Sequence, residues 1–576
     1  MNQFEIKNGV AIIPEGTTKI EYGAFLNCTS LESIIIPESV TEVEKYAFSG
    51  CTSLKSITIP KLVTENVPIF LSGCTSLESI VVAEGNPKYD SREGCNAIIE
   101  TATNTLIQGC KTTFIPASVT KISFAAFRGC TSLESITIPD SVTEIEEMAF
   151  NRCTSLKSIT IPDSVTKIES NLFEECSSLE SITIPDSVTE IGGWAFGHCS
   201  SLKSISIPES VTMIDGCAFE GCTSLKSITI PKSVTTIGVN PFCGCSSLES
   251  IVVAGNREYC SPMNCNAIIE IATNTLIAGC KTTVILKSIK TIGDCAFSGC
   301  TSLESVVIPK GVDMIMRRAF EGCTSLKSIT IPESVTKIWD YAFSGCTSLE
   351  SVVIPKGVKV IMKGAFKDCS SLKSITIPES VTMIDSNLFE GCTSLESVAI
   401  PESVTTIESN LFEGCASLES VTIPESVTKI KHGAFSGCTS LESITIPDSV
   451  TEMTYPMFCC LGVFQGCTSL KSITIPESVT TIPDKSFYGC TSLESVVIPK
   501  GVKSIKSGAF SNCTSLTMVT LPIGVDKIEE DIFDECSALA TIYVPAKKAD
   551  YYKKRLPEQL HDKIVELAPE KKTKNN

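Results

Sequence analysis

Residues 153–175 read Cys-Thr-Ser-Leu-Lys-Ser-Ile-Thr-Ile-Pro-Asp-Ser-Val-Thr-Lys-Ile-Glu-Ser-Asn-Leu-Phe-Glu-Glu, and variants of this unit recur along most of the chain. Leu156, Ile159 and Ile161 are spaced by three and then two residues, and such branched side chains favour a short β-strand. Pro162 has no N–H to donate to a sheet, so it ends that strand. The unit therefore predicts one turn of a solenoid whose strands stack from turn to turn.

Cysteines mark the period of the repeat, which is 23 residues within each run. Between Cys438 and Cys467 the step is 29 residues, and we place the extra residues in a surface loop at 457–462. A single unit cannot bury both of its sides, so stability must come from stacking on neighbouring units. We expect cysteine and phenylalanine to line the interior as a structural ladder that includes Cys130, Cys153, Cys176, Cys199, Cys222, Phe150, Phe173, Phe196 and Phe219.

The residue after the strand-opening leucine alternates in charge over part of the array. It runs Glu134, Lys157, Glu180, Lys203 in one stretch, and the same alternation recurs from 304 to 396. Side chains that are stacked in register attract each other when their signs are opposite. The alternation therefore indicates a parallel ladder in register.

Two blocks depart from the repeat in the same way, at about 83–110 and 254–280. Both contain Cys-Asn-Ala-Ile-Ile-Glu and Ala-Thr-Asn-Thr-Leu-Ile, which predicts a duplicated β-hairpin module. We expect residues 1–27 to form a partial capping repeat and 28–545 to form the array. Residues 546–567, interrupted at Pro557, predict a small helical cap, and 568–576 a disordered tail.

Composition and charge exclude several classes of function. The formal net charge of −18 opposes nucleic-acid binding, and no apolar run is long enough for a transmembrane helix. Residues 1–8 lack the basic and apolar regions of a secretory signal, so a cytoplasmic location stays open. We expect a monomer that binds proteins or other repetitive macromolecules.

Catalytic chemistry is not indicated by any motif. The three histidines are His198, His432 and His561, and none pairs with a distinctive nucleophile. Cys243 with Cys245, Cys260 with Cys265, and the adjacent Cys459 and Cys460 are the candidates for a disulfide or a metal, but they lack the C-x-x-C spacing of a zinc site. We expect no enzymatic activity, no cofactor, no metal and mostly unpaired structural thiols.

The outward strand positions are mostly serine and threonine, which rarely anchor tight interfaces. Many weak, equivalent contacts can still sum through avidity when the partner is itself repetitive. Aromatic and arginine side chains at irregular positions are the candidate partner-binding residues, namely Tyr89, Arg92, Arg257, Tyr259 and Trp339.

The pattern L-x-x-I-x-I-P-x-x-V-x-x-I-x-x-x-A-F-x-x-C over about residues 10–545 resembles the BspA-like leucine-rich repeats. That resemblance implies a right-handed leucine-rich-repeat superhelix with a continuous parallel β-sheet and short return strands or turns. It also implies a bacterial or protist surface protein that adheres to host matrix proteins or to other cells. The alternative is an intracellular interaction scaffold, because thirty cysteines are safest in a reducing compartment.

Overall fold

The structure is a computed structural model that describes residues 4–65, 70–453 and 461–568. The chain divides into two compact units, 1–284 and 285–576. Each unit is a parallel β-solenoid with very little helix, as the 23-residue repeat predicts, so the predicted fold class is confirmed. A turn contains a front strand after the recurring leucine of the repeat and, opposite it, a two-residue return strand.

The first unit contains the following strands. Its front strands are Val10–Ile12, Ser33–Ile35, Ser56–Ile59, Ser79–Val82, Ser135–Thr137, Ser158–Thr160, Ser227–Ile230 and Ser250–Val253, and Ile6–Lys7 pairs antiparallel with the first of them. Its return strands are Lys19–Ile20, Glu42–Val43, Lys121–Ile122, Glu144–Ile145, Lys167–Ile168, Glu190–Ile191, Met213–Ile214 and Thr236–Ile237.

The second unit repeats this arrangement. Its front strands are Ser305–Val307, Ser328–Thr330, Ser351–Val353, Ser374–Thr376, Ser397–Ala399, Ser420–Thr422, Ser443–Thr445, Ser472–Thr474, Ser495–Val497, Met518–Thr520 and Thr541–Val544. Its return strands are Thr291–Ile292, Met314–Ile315, Lys337–Ile338, Val360–Ile361, Met383–Ile384, Thr406–Ile407, Lys429–Ile430, Glu452–Met453, Thr481–Ile482, Ser504–Ile505 and Lys527–Ile528.

The interior of each turn is filled by the apolar positions of the repeat. Leu156 and Ile168 are 0% exposed, and Ile159 is 5% exposed. Phenylalanine rings stack from turn to turn, with the centroids of Phe320 and Phe343 5.4 Å apart and their planes 4° apart. Because this stacking needs one ring at the same place in every turn, it accounts for the strict recurrence of phenylalanine.

The ladder cysteines make a contact that the sequence does not reveal. The Sγ of Cys153 donates to the carbonyl oxygen of Phe127 in the preceding turn, at 3.2 Å, and the same bond recurs along both units. That carbonyl also accepts from the N–H of Cys130, at 3.0 Å. The thiol therefore supplies a second hydrogen bond to a buried carbonyl while filling a small apolar space.

The two irregular modules extend the sheet of return strands. In the first, Tyr89–Asp90, Ile98–Glu100 and Thr105–Gln108 form antiparallel pairs, and the last of these strands pairs parallel with Lys121–Ile122. In the second, Tyr259–Cys260, Ala267–Glu270 and Thr275–Gly279 pair in the same way. A 3₁₀ turn opens the loop of each module, at Arg92–Gly94 and at Pro262–Asn264.

The C-terminal segment differs from the predicted helical cap. It has a helix at Ala549–Lys553 and a 3₁₀ helix at Glu558–Lys563, and then a strand at Ile564–Glu566 that pairs parallel with Thr541–Val544. The two helical pieces flank Pro557, where the sequence predicts the interruption, and residues 564–566 pair instead along the edge of the last front strand, which needs a hydrogen-bonding neighbour. Residues 569–576 of the predicted tail lie outside the described residues, as does the 457–460 part of the predicted loop.

Candidate interaction surfaces

The front strands present two outward rows of short side chains, one of serines and one in which threonines alternate with Val307, Val353 and Ala399 in the second unit. In the second unit, one row runs in register through six successive turns, at Ser305, Ser328, Ser351, Ser374, Ser397 and Ser420. The neighbouring row contains Thr330, Thr376 and Thr422, all exposed. The serine row therefore offers the same small hydroxyl group once per strand, at a spacing of roughly 4.8 Å.

Ion pairs run beside these rows where the sequence alternates in charge. Lys157 Nζ lies 2.9 Å from Glu134, and Lys203 Nζ lies 2.7 Å from Glu180. The hydrogen bond from Lys157 lowers the pKa of the Glu134 carboxyl. Because both partners are more than half exposed, such pairs contribute little to stability. They favour the in-register alignment of neighbouring strands and set the charge pattern of the surface.

The pairing between front strands is incomplete at two turns of the first unit. Between the strands that end at Thr160 and begin at Ser227, the described pairing is reduced to isolated bridges at Thr183 and Ser206. A groove of about 440 Å³ opens there, lined by Ser181, Ser204, Ser206, Ser227 and Thr229 among others. Ile182, Ile205 and Ile207 also line it, so this concavity offers both hydroxyl groups and apolar surface.

The candidate contact residues of the first module are engaged within the protein. Tyr89 is 5% exposed, so its ring cannot reach a partner, and the prediction for this residue is corrected. The Arg92 guanidinium lies 2.8 Å from an Asp90 carboxylate oxygen and donates to Asn104 at 2.9 Å. Its side chain is 24% exposed, so Arg92 stays a candidate contact.

The second module has one buried and one exposed candidate. Tyr259 is 7% exposed, and its hydroxyl oxygen accepts a hydrogen bond from the N–H of Ile237 at 3.0 Å. Its predicted partner-binding role is therefore corrected to a structural one, because the ring closes the module against the preceding turn. Arg257 is exposed and stays a candidate contact.

Trp339 lies on the return-strand side of the second unit. Its side chain is half-buried, and the ammonium of Lys337 lies 3.6 Å from the ring centroid. Sequence reasoning missed the exposed methionines in the same sheet, Met314 and Met383. Comparing the outward positions of successive return strands could have found them, because those positions are charged or polar in most other turns.

The cysteines considered for a disulfide or a metal do not form a common site in the described residues. Cys260 and Cys265 are thiols, and Cys265 Sγ lies 3.7 Å from Ser261 Oγ. Cys245 belongs to the ladder and donates to the Phe219 carbonyl, whereas Cys459 and Cys460 lie outside the described residues. No group of three or more potential metal ligands occurs in the described part of the chain.

The histidines occupy unrelated positions. His198 takes the left-handed backbone conformation that precedes each ladder cysteine, with φ of 57°. His432 lies 3.1 Å from Ser409 Oγ, and burial lowers its pKa. His561 Nε2 lies 3.0 Å from the Leu556 carbonyl. Within residues 4–65, 70–453 and 461–568, no helix is long and apolar enough to cross a membrane.

The repeats of this chain match a known protein family. A family model described as BspA type leucine-rich repeat region matches six times, over residues 4–103, 104–222, 166–278, 270–395, 359–463 and 461–555. No curated protein matches the chain. Leucine-rich repeat proteins generally mediate protein–protein interaction and are typically non-enzymatic.

Among solved structures, a leucine-rich repeat protein from Bacteroides ovatus is 25% identical, with 83% of this chain and 98% of that chain covered and a TM-score of 0.37. One from Eubacterium ventriosum is 23% identical, with 62% and 83% covered and a TM-score of 0.35. The T. pallidum leucine-rich repeat protein is 34% identical, with 32% and 86% covered and a TM-score of 0.28.

Proposed function

Because this chain belongs to the BspA-type leucine-rich repeat family, we propose that it is a non-enzymatic adhesion protein that binds macromolecules of a host or a neighbouring cell. The observation that carries the proposal is the row of six in-register serines from Ser305 to Ser420. A row of identical groups at a constant spacing suits a partner that is itself repetitive.

Avidity supplies the affinity that single contacts on this face lack. Each serine or threonine offers a small donor and acceptor, and the face carries few of the large side chains that dominate tight interfaces. When several weak contacts form on one partner, every contact after the first is effectively intramolecular. The proposed adhesin therefore binds dense, repetitive layers strongly and isolated partner molecules weakly.

Buried thiols are compatible with a position at the cell surface. Burial raises the pKa of the Cys346 thiol to about 12, and it raises the pKa of Cys153 well above its usual range. Since the thiolate is the form that reacts, thiols of this kind are protected from oxidation. The ladder can therefore persist in an oxidising environment without forming disulfides.

An intracellular interaction scaffold is the second candidate function. It is favoured by the half-buried thiol of Cys260, which has partial access to solvent and would stay reduced most safely in the cytoplasm. The scaffold would use the same front face, so the two candidates differ in location and in partner.

Protease treatment of intact cells that express the chain distinguishes the two candidates. The adhesin proposal expects external protease to remove the full-length protein together with a known surface marker, while a cytoplasmic marker stays intact. A chain that survives while the surface marker is cleaved contradicts it. Binding of the purified full chain to a layer of extracellular-matrix protein, with heat-unfolded chain as the control, tests adhesion itself.

A further inference from the structure

The return-strand sheet of the second unit carries a cluster of apolar side chains over four successive turns. Strands Met314–Ile315, Lys337–Ile338, Val360–Ile361 and Met383–Ile384 pair in register, so their first residues form one outward row. The residues two positions further along form a second row. We call the apolar members of the two rows the methionine–tryptophan patch, which comprises Met314, Met316, Trp339, Val360, Met362 and Met383.

The side chains of this patch reach the surface. Met314 is 40% exposed and Met383 is 54% exposed, while the other four members are half-buried. Four of the eleven methionines of the chain and one of its two tryptophans belong to this patch. The interior of the solenoid does not require methionine or tryptophan on this outward surface, because the recurring leucine, isoleucine, phenylalanine and cysteine side chains already fill it.

The same two rows are charged and ion-paired in other turns. Lys121 Nζ lies 2.6 Å from Glu146, and Lys431 Nζ lies 2.6 Å from Glu408. Lys19 makes equivalent pairs with Glu42 and Glu44 in the first unit. The fold therefore tolerates polar side chains at these positions, so the apolar residues at 314–383 are not required for the return strands to form.

We propose that the methionine–tryptophan patch is a docking site for an acidic amphipathic helix of a partner protein. Methionine side chains are flexible and polarisable, so they adapt to the apolar face of a partner helix. Trp339 provides a large, partly fixed ring of the kind that anchors interfaces. Its Nε1 is buried and has no hydrogen-bond acceptor in the described chain, so a polar group of the partner can take this role if the ring shifts on binding.

The charges around the patch favour an acidic partner. Arg317, Lys359 and Lys363 are exposed at its rim, and no ion pair within the described residues involves them. Lys337 lies over the Trp339 ring, at the centre of the patch. Three carboxylates also lie beside these rows, at Asp313, Asp340 and Asp385. The four cations outnumber them, so the surroundings of the patch carry a small positive excess in a chain whose formal net charge is −18. Carboxylates that flank the apolar face of a helix would pair with these cations.

The spacing of the strands favours a helix as the docked element. Neighbouring strands are roughly 4.8 Å apart, and an α-helix rises about 5.4 Å per turn. A helix that lies along the solenoid axis therefore places about one apolar side chain opposite each strand. Over four strands the strand spacing and the helical pitch stay nearly matched, so roughly three helical turns can contact the patch.

Two other occupants fit the patch less well. A second copy related by a twofold axis through the centre of the patch would bring the two Lys337 ammonium groups close together, and like charges repel. An anionic lipid surface would need apolar side chains that protrude. The Trp339 ring instead lies beneath the Lys337 ammonium, and the net charge of the chain repels such a surface.

The test uses the full chain with Trp194→Phe, so that Trp339 is the only tryptophan. The probe is a helical peptide of about 18 residues that has leucine on one face and glutamate on its flanks, and that extends beyond the four strands at both ends. We expect saturable binding with a blue shift of the Trp339 emission. Met314→Gln with Met383→Gln should weaken this binding about tenfold or more, and so should Arg317→Glu with Lys363→Glu.

The matched control is Val307→Thr with Val353→Thr, which removes exposed apolar side chains from the front face of the same unit. This control should leave peptide affinity unchanged. The proposal is overturned if the peptide does not bind, if a peptide of scrambled sequence binds equally well, or if a lysine-flanked version binds more tightly. It is also overturned if vesicles containing phosphatidylserine bind while the peptide does not, or if sedimentation shows a dimer that Met383→Gln dissolves.

Discussion

The thiol of Cys346 donates a hydrogen bond to the backbone carbonyl of Phe320, 3.2 Å away in the preceding turn. The Phe320 ring stacks on that of Phe343, so one residue connects two ladders of the interior. The thiol and the ring are therefore parts of a single structural unit that recurs in turn after turn.

Removing a ladder thiol should destabilise the protein. Cys346→Ala deletes the bond to Phe320 and leaves a small cavity, which together should lower the free energy of unfolding by about 1–3 kcal/mol. Urea denaturation followed by circular dichroism measures the change. Cys260→Ala, at a half-buried position outside the ladder, should change it by less than about 1 kcal/mol. Equal effects of the two substitutions would contradict the structural role of the ladder thiols.

Alkaline pH should also destabilise the folded chain. Burial raises the pKa of Cys346 and Cys392 to about 12, whereas an unfolded thiol titrates near ~8.5. The unfolded state therefore loses protons first, so the stability is fully present below about pH 8 and falls as the pH rises toward 12. Urea midpoints should decrease between about pH 8 and 9.5, before most lysines titrate. A constant midpoint over that range would contradict the burial of the thiols.

Loss of one stacked ring should be more costly than loss of a thiol. Phe343→Ala removes contacts with the rings on both sides and should lower the free energy of unfolding by about 3–5 kcal/mol. Phe114→Ala is the matched control, because Phe114 is 46% exposed and should contribute about 1 kcal/mol or less. Thermal denaturation of both variants gives the comparison. A milder effect at Phe343 than at Phe114 would disprove the stacked interior.

Tyr259 should behave as a structural residue. Tyr259→Phe leaves the N–H of Ile237 without its acceptor and should lower the free energy of unfolding by about 1–3 kcal/mol. Binding to a matrix-protein layer should not change. Arg257→Ala, at an exposed position of the same module, should leave stability unchanged. If Tyr259→Phe reduces binding while stability is preserved, the ring has a contact role that its burial argues against.

The sequence predicts well which side chains fill the interior of the solenoid, because Leu156, Phe173 and Cys176 have counterparts at a fixed period. The strand pairing follows from the same period. It does not predict which aromatic residues of the modules are buried. Tyr89 and Tyr259 look like loop residues until the antiparallel strands fold over them. The bond from the Cys346 thiol to Phe320 is also hidden, since its partners are 26 residues apart.

The outward surfaces were only partly predictable for a related reason. The serine and threonine rows follow from the alternation of buried and exposed positions along each front strand. The methionine–tryptophan patch depends on comparing residues that are 23 apart on the opposite side of the turn, where the return strands are only two residues long. So short a strand gives no alternation from which its outward side can be recognised.

The most direct test of the proposed function measures binding of the full chain to matrix-protein layers of increasing density. Thr330→Lys, Thr376→Lys and Thr422→Lys together alter the front face, and Thr336→Lys, Thr382→Lys and Thr428→Lys add the same charge to exposed sites in the loops before the return strands. Multivalent binding by the front face predicts slower dissociation as density rises, with this dependence lost only in the front-face variant. If both variants dissociate like the unaltered chain at every density, the front face is not the adhesive surface.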